Sequence, residues 1–205
     1  DTTDAGGQRT KGCARTPVTE DDVGLSEHVG LVDPGFDVDV VRDRFELVVA
    51  TQDWHPANHS SFADMHAGAA AFGLIEMPYG PQVLWPRHCV QGSAGAAFHP
   101  DLQTDPAQLT LRKGFRSGID SYSAFFENDH KTPTGLEGYL RARGIAKLTL
   151  VGLATDFCVA YSALDAAALG FDVTVLASAC RAIDLNGSLA ARKQACLEAG
   201  VNWIE

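Results

Sequence analysis

The sequence has little positive charge, no long apolar run and no paired-cysteine motif, and each lack removes a class of function. Its 16 lysines and arginines stand against 26 aspartates and glutamates, for a formal net charge of −10. A chain that grips nucleic acid or an anionic membrane needs a basic face, so neither is expected as a partner. No apolar stretch approaches the roughly 18 to 20 residues of a spanning helix. The opening residues, Asp1 to Gly12, are polar and lack the basic-then-apolar order of a secretory leader. The cysteines Cys13, Cys89, Cys158, Cys180 and Cys196 are odd in number, irregularly spaced and without a CxxC pair. That pattern disfavours a disulfide framework and points to a reducing, cytoplasmic setting. Internal repeats, low-complexity tracts and domain linkers are also missing. With 205 residues, 45% hydrophobic and 20% charged, the chain suits one ordinary globular domain.

What is present is an alternation of strands and helices. Glu46–Thr51, Lys147–Gly152 and Asp172–Ala177 are short β-branched runs that read as buried parallel strands, with Ala107–Arg112 and Val201–Ile204 as weaker candidates. Between them, Thr134–Arg143, Val159–Leu169 and Leu189–Ala199 carry helical spacing, and each stops at a glycine (Gly144, Gly170, Gly200). This rhythm predicts a single-domain, doubly wound α/β fold, with a mainly parallel sheet and helices on both faces. In such sheets ligands bind outside the carboxyl ends of the strands. Asp53, Lys113 and Cys158 each fall just after a candidate strand. The long, irregular stretch Asp53–Pro100, rich in His, Pro and Gly, is the kind of loop that carries function.

Cys158 sits where a strand ends and a helix begins, in Gly152-Leu153-Ala154-Thr155-Asp156-Phe157-Cys158-Val159. A helix N-terminus lowers a thiol pKa, and a thiolate is the competent nucleophile. The same cysteine also reads as a small buried hydrophobe. Asp53-Trp54-His55-Pro56-Ala57-Asn58-His59 places a carboxylate and two imidazoles at a strand end. Asp53 and His55 point the same way in extended backbone, and with His88 they could hold a divalent ion. Imidazole suits Zn or Fe, and mixed carboxylate–imidazole sites also accept Mn. By spacing alone, loop hydrogen bonding explains these residues equally well. Lys113, at the end of a buried strand, could supply a fixed charge that keeps the thiol ionised, or be an ordinary surface lysine. His66, His99 and His130 read as surface or structural residues.

Four motifs occur in order: Thr51-Gln52-Asp53-Trp54-His55-Pro56, Trp85-Pro86-Arg87-His88-Cys89-Val90, Arg112-Lys113-Gly114 and the segment around Cys158. Together, with Ser121-Tyr122-Ser123-Ala124-Phe125, they resemble the nicotinamidase (pyrazinamidase) branch of the isochorismatase-like cysteine hydrolases, from about Leu47 to Val201. The resemblance implies that Cys158 attacks the carboxamide carbon of nicotinamide, giving a thioester that water hydrolyses to nicotinate, in NAD salvage. Lys113 would support the thiolate, and N–H groups of Ala154 and Cys158 would hold the oxyanion. The Leu153–Ala154 peptide is cis in such proteins. Asp53, His55 and His88 would bind one divalent ion (Zn, Fe or Mn), with His59 a further ligand in some members. Trp85, Phe125 and Leu153 would form the substrate site. Pyrazinamide is an expected second substrate. The partner is a small molecule, with monomer and homo-oligomer both open. The rivals are a cysteine hydrolase acting on another small amide and an impaired nicotinamide-binding homologue.

The N-terminus departs from that pattern. The family's third catalytic residue is an aspartate ending the first, central strand, and its usual spacing from Asp53 reaches Gly12 and Cys13, with no aspartate there. Nothing in residues 1–27 reads as a strand, so this segment is expected to be atypical and disordered, with the hydrolase domain spanning 28–205. The nearest echo is Val29-Gly30-Leu31-Val32-Asp33-Pro34, which makes Asp33 the candidate base, only 20 residues before Asp53. Pro34 to Phe45 just meets the roughly 10 to 12 residues of a minimal crossover, with a helix of about two turns from Val38 to Phe45. An ordinary turn aspartate before proline explains Asp33 as well. The change in character near residue 38 is abrupt, as a shifted reading frame or altered gene start would produce.

Overall fold

The computed structural model describes residues 45–205. Asp33, segment 1–27 and all but the last residue of the helix expected over Val38–Phe45 lie outside the described residues.

Among the described residues seven strands and three α-helices follow one another: β1 Val49–Asp53, β2 Leu74–Met77, β3 Gly80–Val83, β4 Leu109–Lys113, α1 Leu136–Arg141, β5 Lys147–Leu153, α2 Ala160–Ala168, β6 Asp172–Arg181, α3 Ser188–Glu198 and β7 Asn202–Ile204. β1 and β4 pair in parallel, as do β5 with β6 and β6 with β7. The α/β class and the helix and strand positions expected from periodicity are present, with ends shifted by a few residues. The sequence reading missed the antiparallel hairpin β2–β3 inside the stretch taken as irregular. Its strands are four residues long and alternate only between exposed and half-buried, apart from Gln82, and Pro81 sits in one of them. Proline marks an edge strand and hides the signal.

The core forms where the helices cover the sheet. Val173 and Val175 of β6 are buried, and α2 meets the core through Ala160, Ala163 and Ala166, all fully buried. Small side chains three apart let a helix axis approach closely. α2 ends at Gly170, whose φ of +83° is left-handed backbone that glycine adopts without penalty. The Phe171 N–H then closes on Ala166 O at 3.0 Å, and its ring packs against Phe125 at 5.8 Å.

Among the described residues, β1 pairs only with β4 and β5 only with β6, and the two sheets stay separate. A cavity of about 670 Å³ is lined by Val49–Thr51 of β1 and Lys147–Val151 of β5, with Lys113 and Cys158 also on its wall.

Phe171→Ala is expected to cost about 3–5 kcal/mol, because the ring leaves a cavity between α2 and β6. Urea denaturation with an unchanged m-value would show it.

Candidate active site

Register explains the first contact. Asp53 and Lys113 are cross-strand partners at the ends of β1 and β4, so their side chains emerge together. Both are buried, and the Lys113 ammonium forms an ion pair with Asp53 Oδ1. Its other donors reach Ser121 O at 3.1 Å and Cys158 Sγ at 3.2 Å. Burial alone would lower the Lys113 pKa, but Asp53 and Cys158 raise it above the ordinary lysine value. The lysine is a permanent buried cation.

Beyond β1 the chain stays extended and is stapled to the segment carrying His88. His55 N–H donates to Cys89 O at 3.0 Å, and Gln91 N–H to His55 O at 2.8 Å. A second bridge joins Phe62 to Trp85. The staples bring the His55 and His88 rings to 4.8 Å between centroids. Ligand atoms of Asp53, His55 and His88 lie within 4.8 Å of one another.

The donor chemistry of this trio fits a divalent ion. His55 Nδ1 donates to Gly114 O at 2.9 Å and His88 Nδ1 to Pro86 O at 2.7 Å. Each imidazole therefore turns Nε2 inward, held by the carbonyl contact that orients metal-binding histidines. Burial, with His55 close by, lowers the His88 pKa to about 4, so its ring is neutral, as a ligand must be. His59, the further ligand expected in some members, is engaged at both nitrogens, by Ser61 Oγ at 2.7 Å and by Ile119 O at 3.2 Å. With His55 and Asp120 it forms a second, overlapping carboxylate–imidazole group.

Cys158 lies on a turn of π-helix, Thr155–Val159, closed by Val159 N–H on Ala154 O at 3.1 Å. Such turns recur at functional sites. The Leu153–Ala154 peptide is cis, as the resemblance implies. The thiol corrects one expectation. Burial pushes its pKa up to about 11, and Lys113 only partly offsets this, against a further rise from Asp53. Neither the turn nor the lysine leaves the thiol ionised at neutral pH.

A compact pocket joins these parts, lined by Asp53, His55, Trp85, His88, Asp120, Ser121, Tyr122, Ala154, Phe157, Cys158 and Ile183. Trp85, Tyr122 and Phe157 meet edge to face, with Trp85 4.8 Å from Phe157 and Tyr122 5.5 Å from it. Phe125 and Leu153, expected at the substrate, line the larger cavity instead, and Phe125 belongs to the main core. The sequence reading missed Phe157, Tyr122, Asp120 and Ile183. Phe157 and Tyr122 stand inside the quoted motifs, so a signal existed for them. Asp120 has none, being set by long-range contacts. Gln82 donates to its Oδ2 at 3.2 Å and to the Tyr122 hydroxyl at 2.7 Å. Burial would raise the Asp120 pKa, but His55 and His59 hold it below the usual value.

Gly114 has φ +63°, and a Cβ there would lie 2.4 Å from His55 Cε1. Gly114→Ala is therefore expected to displace His55 and weaken zinc affinity by about 10- to 100-fold, measured by competition with a chromogenic chelator. In the metal-free protein, alkylation of Cys158 by iodoacetamide is expected to accelerate with rising pH towards a midpoint near 11. Lys113→Met moves that midpoint further up, because the cation is what favours the thiolate.

Residues 38–200 match the isochorismatase domain family. The chain is 56% identical to the nicotinamidase of Acinetobacter baylyi over 160 residues, 78% of this chain and 75% of that protein. The solved nicotinamidase–pyrazinamidase of Acinetobacter baumanii superposes with a TM-score of 0.80 at 55% identity, covering 82% of this chain and 81% of that one. The pyrazinamidase of Pyrococcus horikoshii in complex with zinc gives 0.63 at 29% identity, covering 82% and 80%. The chain belongs to the isochorismatase domain family, within its nicotinamidase branch.

Proposed function

We propose that this protein is a metal-dependent cysteine amidohydrolase that converts nicotinamide to nicotinate and ammonia. The observation that carries the reading is Cys158 Sγ 3.2 Å from the buried Lys113 ammonium, in one pocket with Asp53, His55, His88 and an aromatic wall. A nucleophile backed by a buried cation, beside a metal-ligand trio and aromatic faces, has the chemistry to act on an aromatic amide. The nicotinamidase relatives support that substrate, and the zinc complex of the Pyrococcus relative supports the metal.

Cys158 sulfur would add to the carboxamide carbon after giving up its proton, with N–H groups of Ala154 and Cys158 receiving the developing oxyanion. The C–N bond then breaks, and ammonia leaves with the proton taken from the thiol. Water cleaves the resulting thioester to nicotinate and restores the thiol. Asp53, His55 and His88 would hold one Zn, Fe or Mn ion, which when bound supplies a positive anchor for the ring nitrogen. Lys113 holds Cys158 in place and favours its ionised form. Trp85, Tyr122 and Phe157 orient the ring.

A thiol with a pKa of about 11 needs a proton acceptor at neutral pH. Asp33, which follows the apolar run Val29–Val32 in the sequence, is our candidate. Pyrazinamide is a second substrate on this reading, and the setting is cytoplasmic. There the described cysteines, Cys89, Cys158, Cys180 and Cys196, which form no disulfide with one another, stay reduced. No helix of the described residues is long and apolar enough to cross a membrane. The other reading is a protein that binds nicotinamide through the metal-ligand trio and the aromatic wall without turning it over.

Ammonia release from nicotinamide decides between them. Turnover by the full chain, lost by about 10³-fold or more in Cys158→Ala, is expected of the enzyme. Chelation should abolish it, and added zinc, iron or manganese should restore it. Turnover in both proteins removes Cys158 from the chemistry, and turnover in neither, with nicotinamide still bound, selects the binding protein.

A further inference from the structure

One buried carboxylate ties the nucleophile turn to the loop that follows β6. Asp156, two residues before Cys158, is fully buried. Its Oδ1 accepts the Ile183 N–H at 3.0 Å and its Oδ2 the Asp184 N–H at 2.8 Å. The Ser188 hydroxyl also donates to Oδ2. A carboxylate taking two consecutive backbone N–H groups and a hydroxyl is a strong clamp.

The clamp holds a wall of the pocket. Ile183 packs against the buried cluster of Trp85, Tyr122, Ala154, Phe157 and Cys158 and lines the same pocket as the thiol. The other apolar walls, Trp85, Tyr122, Ala154 and Phe157, are buried in packed structure. Ile183 is half-buried, on a loop between exposed Ala182 and Asp184. The pocket measures about 20 Å³, which is room for about one water and far below an aromatic ring. Admitting a ring requires a wall to yield, and Ile183 is the apolar wall that is least buried, its side chain free to repack while its backbone is held by Asp156. Asp156 limits how far it yields and fixes where it returns.

We propose that Ile183 is the wall against which the substrate ring repacks and so sets the ring size accepted, and that Asp156 is its positioning residue. The choice of ring rests on the nicotinamide reading. The wall contributes mainly to ring binding, so its loss should raise KM more than it lowers kcat. Loss of the wall should also relax discrimination against a substituted ring, because one added carbon in an apolar pocket is worth about 10-fold or more.

Kinetics on nicotinamide and on nicotinamide carrying a ring methyl test this. Ile183→Ala is expected to raise KM for nicotinamide about 10-fold, with a smaller change in kcat, and to shift preference towards the methylated ring by a similar factor. Asp156→Asn keeps the side-chain shape but can accept only one of the two N–H groups, so it should shift both quantities in the same direction by less. A second readout needs no turnover: the rate of Cys158 alkylation by iodoacetamide against that by an N-benzyl haloacetamide. Both variants should favour the bulky reagent relative to the parent chain, even if the parent does not hydrolyse nicotinamide. Unchanged ring preference and unchanged alkylation ratio in Ile183→Ala overturn the proposal. Asp156→Asn that loses thermal stability but keeps the parental alkylation ratio overturns the positioning role.

Discussion

The Asp53 carboxylate and the Lys113 ammonium meet because β1 and β4 run parallel with these two residues in register at their ends. Burying either charge alone costs several kcal/mol, so each depends on the other, and breaking such a pair typically costs about 3–5 kcal/mol. The ammonium has three donors and three acceptors are present: Asp53, Ser121 O and Cys158 Sγ. A fully satisfied ammonium has no rotation left to use. It therefore sets the position of the sulfur relative to Asp53, and through Asp53 relative to His55 and His88. The nucleophile and the metal-ligand trio are two ends of one buried hydrogen-bonded unit.

The strand-end residues were legible because strand, turn and reactive side chain are consecutive in sequence. Asp53, Lys113 and Cys158 each end or follow a β-branched run, and parallel sheets gather such ends. His88 was legible only through its motif, since two bridges and their backbone hydrogen bonds to 55–62 carry it to the site. Asp120 depends on a hydrogen bond from Gln82, 38 residues away, and Ile183 on Asp156, 27 residues away. No local pattern records such contacts. The thiol pKa was misjudged for a related reason. A helix terminus and a nearby lysine are visible in sequence, but the degree of burial that outweighs them is a tertiary quantity.

The same burial explains what the chemistry demands. Enclosing the lysine–carboxylate pair keeps the cation permanent, and it also keeps the thiol protonated in the resting protein. A cation alone does not resolve that conflict, because Asp53 opposes on the thiol what Lys113 favours. A proton acceptor close to Cys158 does, and among the described residues the larger cavity is one space that reaches the sulfur.

That cavity lies between β1 and β5, and its largely apolar wall includes Lys113 and Cys158. A carboxylate reaching that wall would stand beside both the Lys113 ammonium and the Cys158 thiol, where the cation favours its ionised form and the sulfur is within reach.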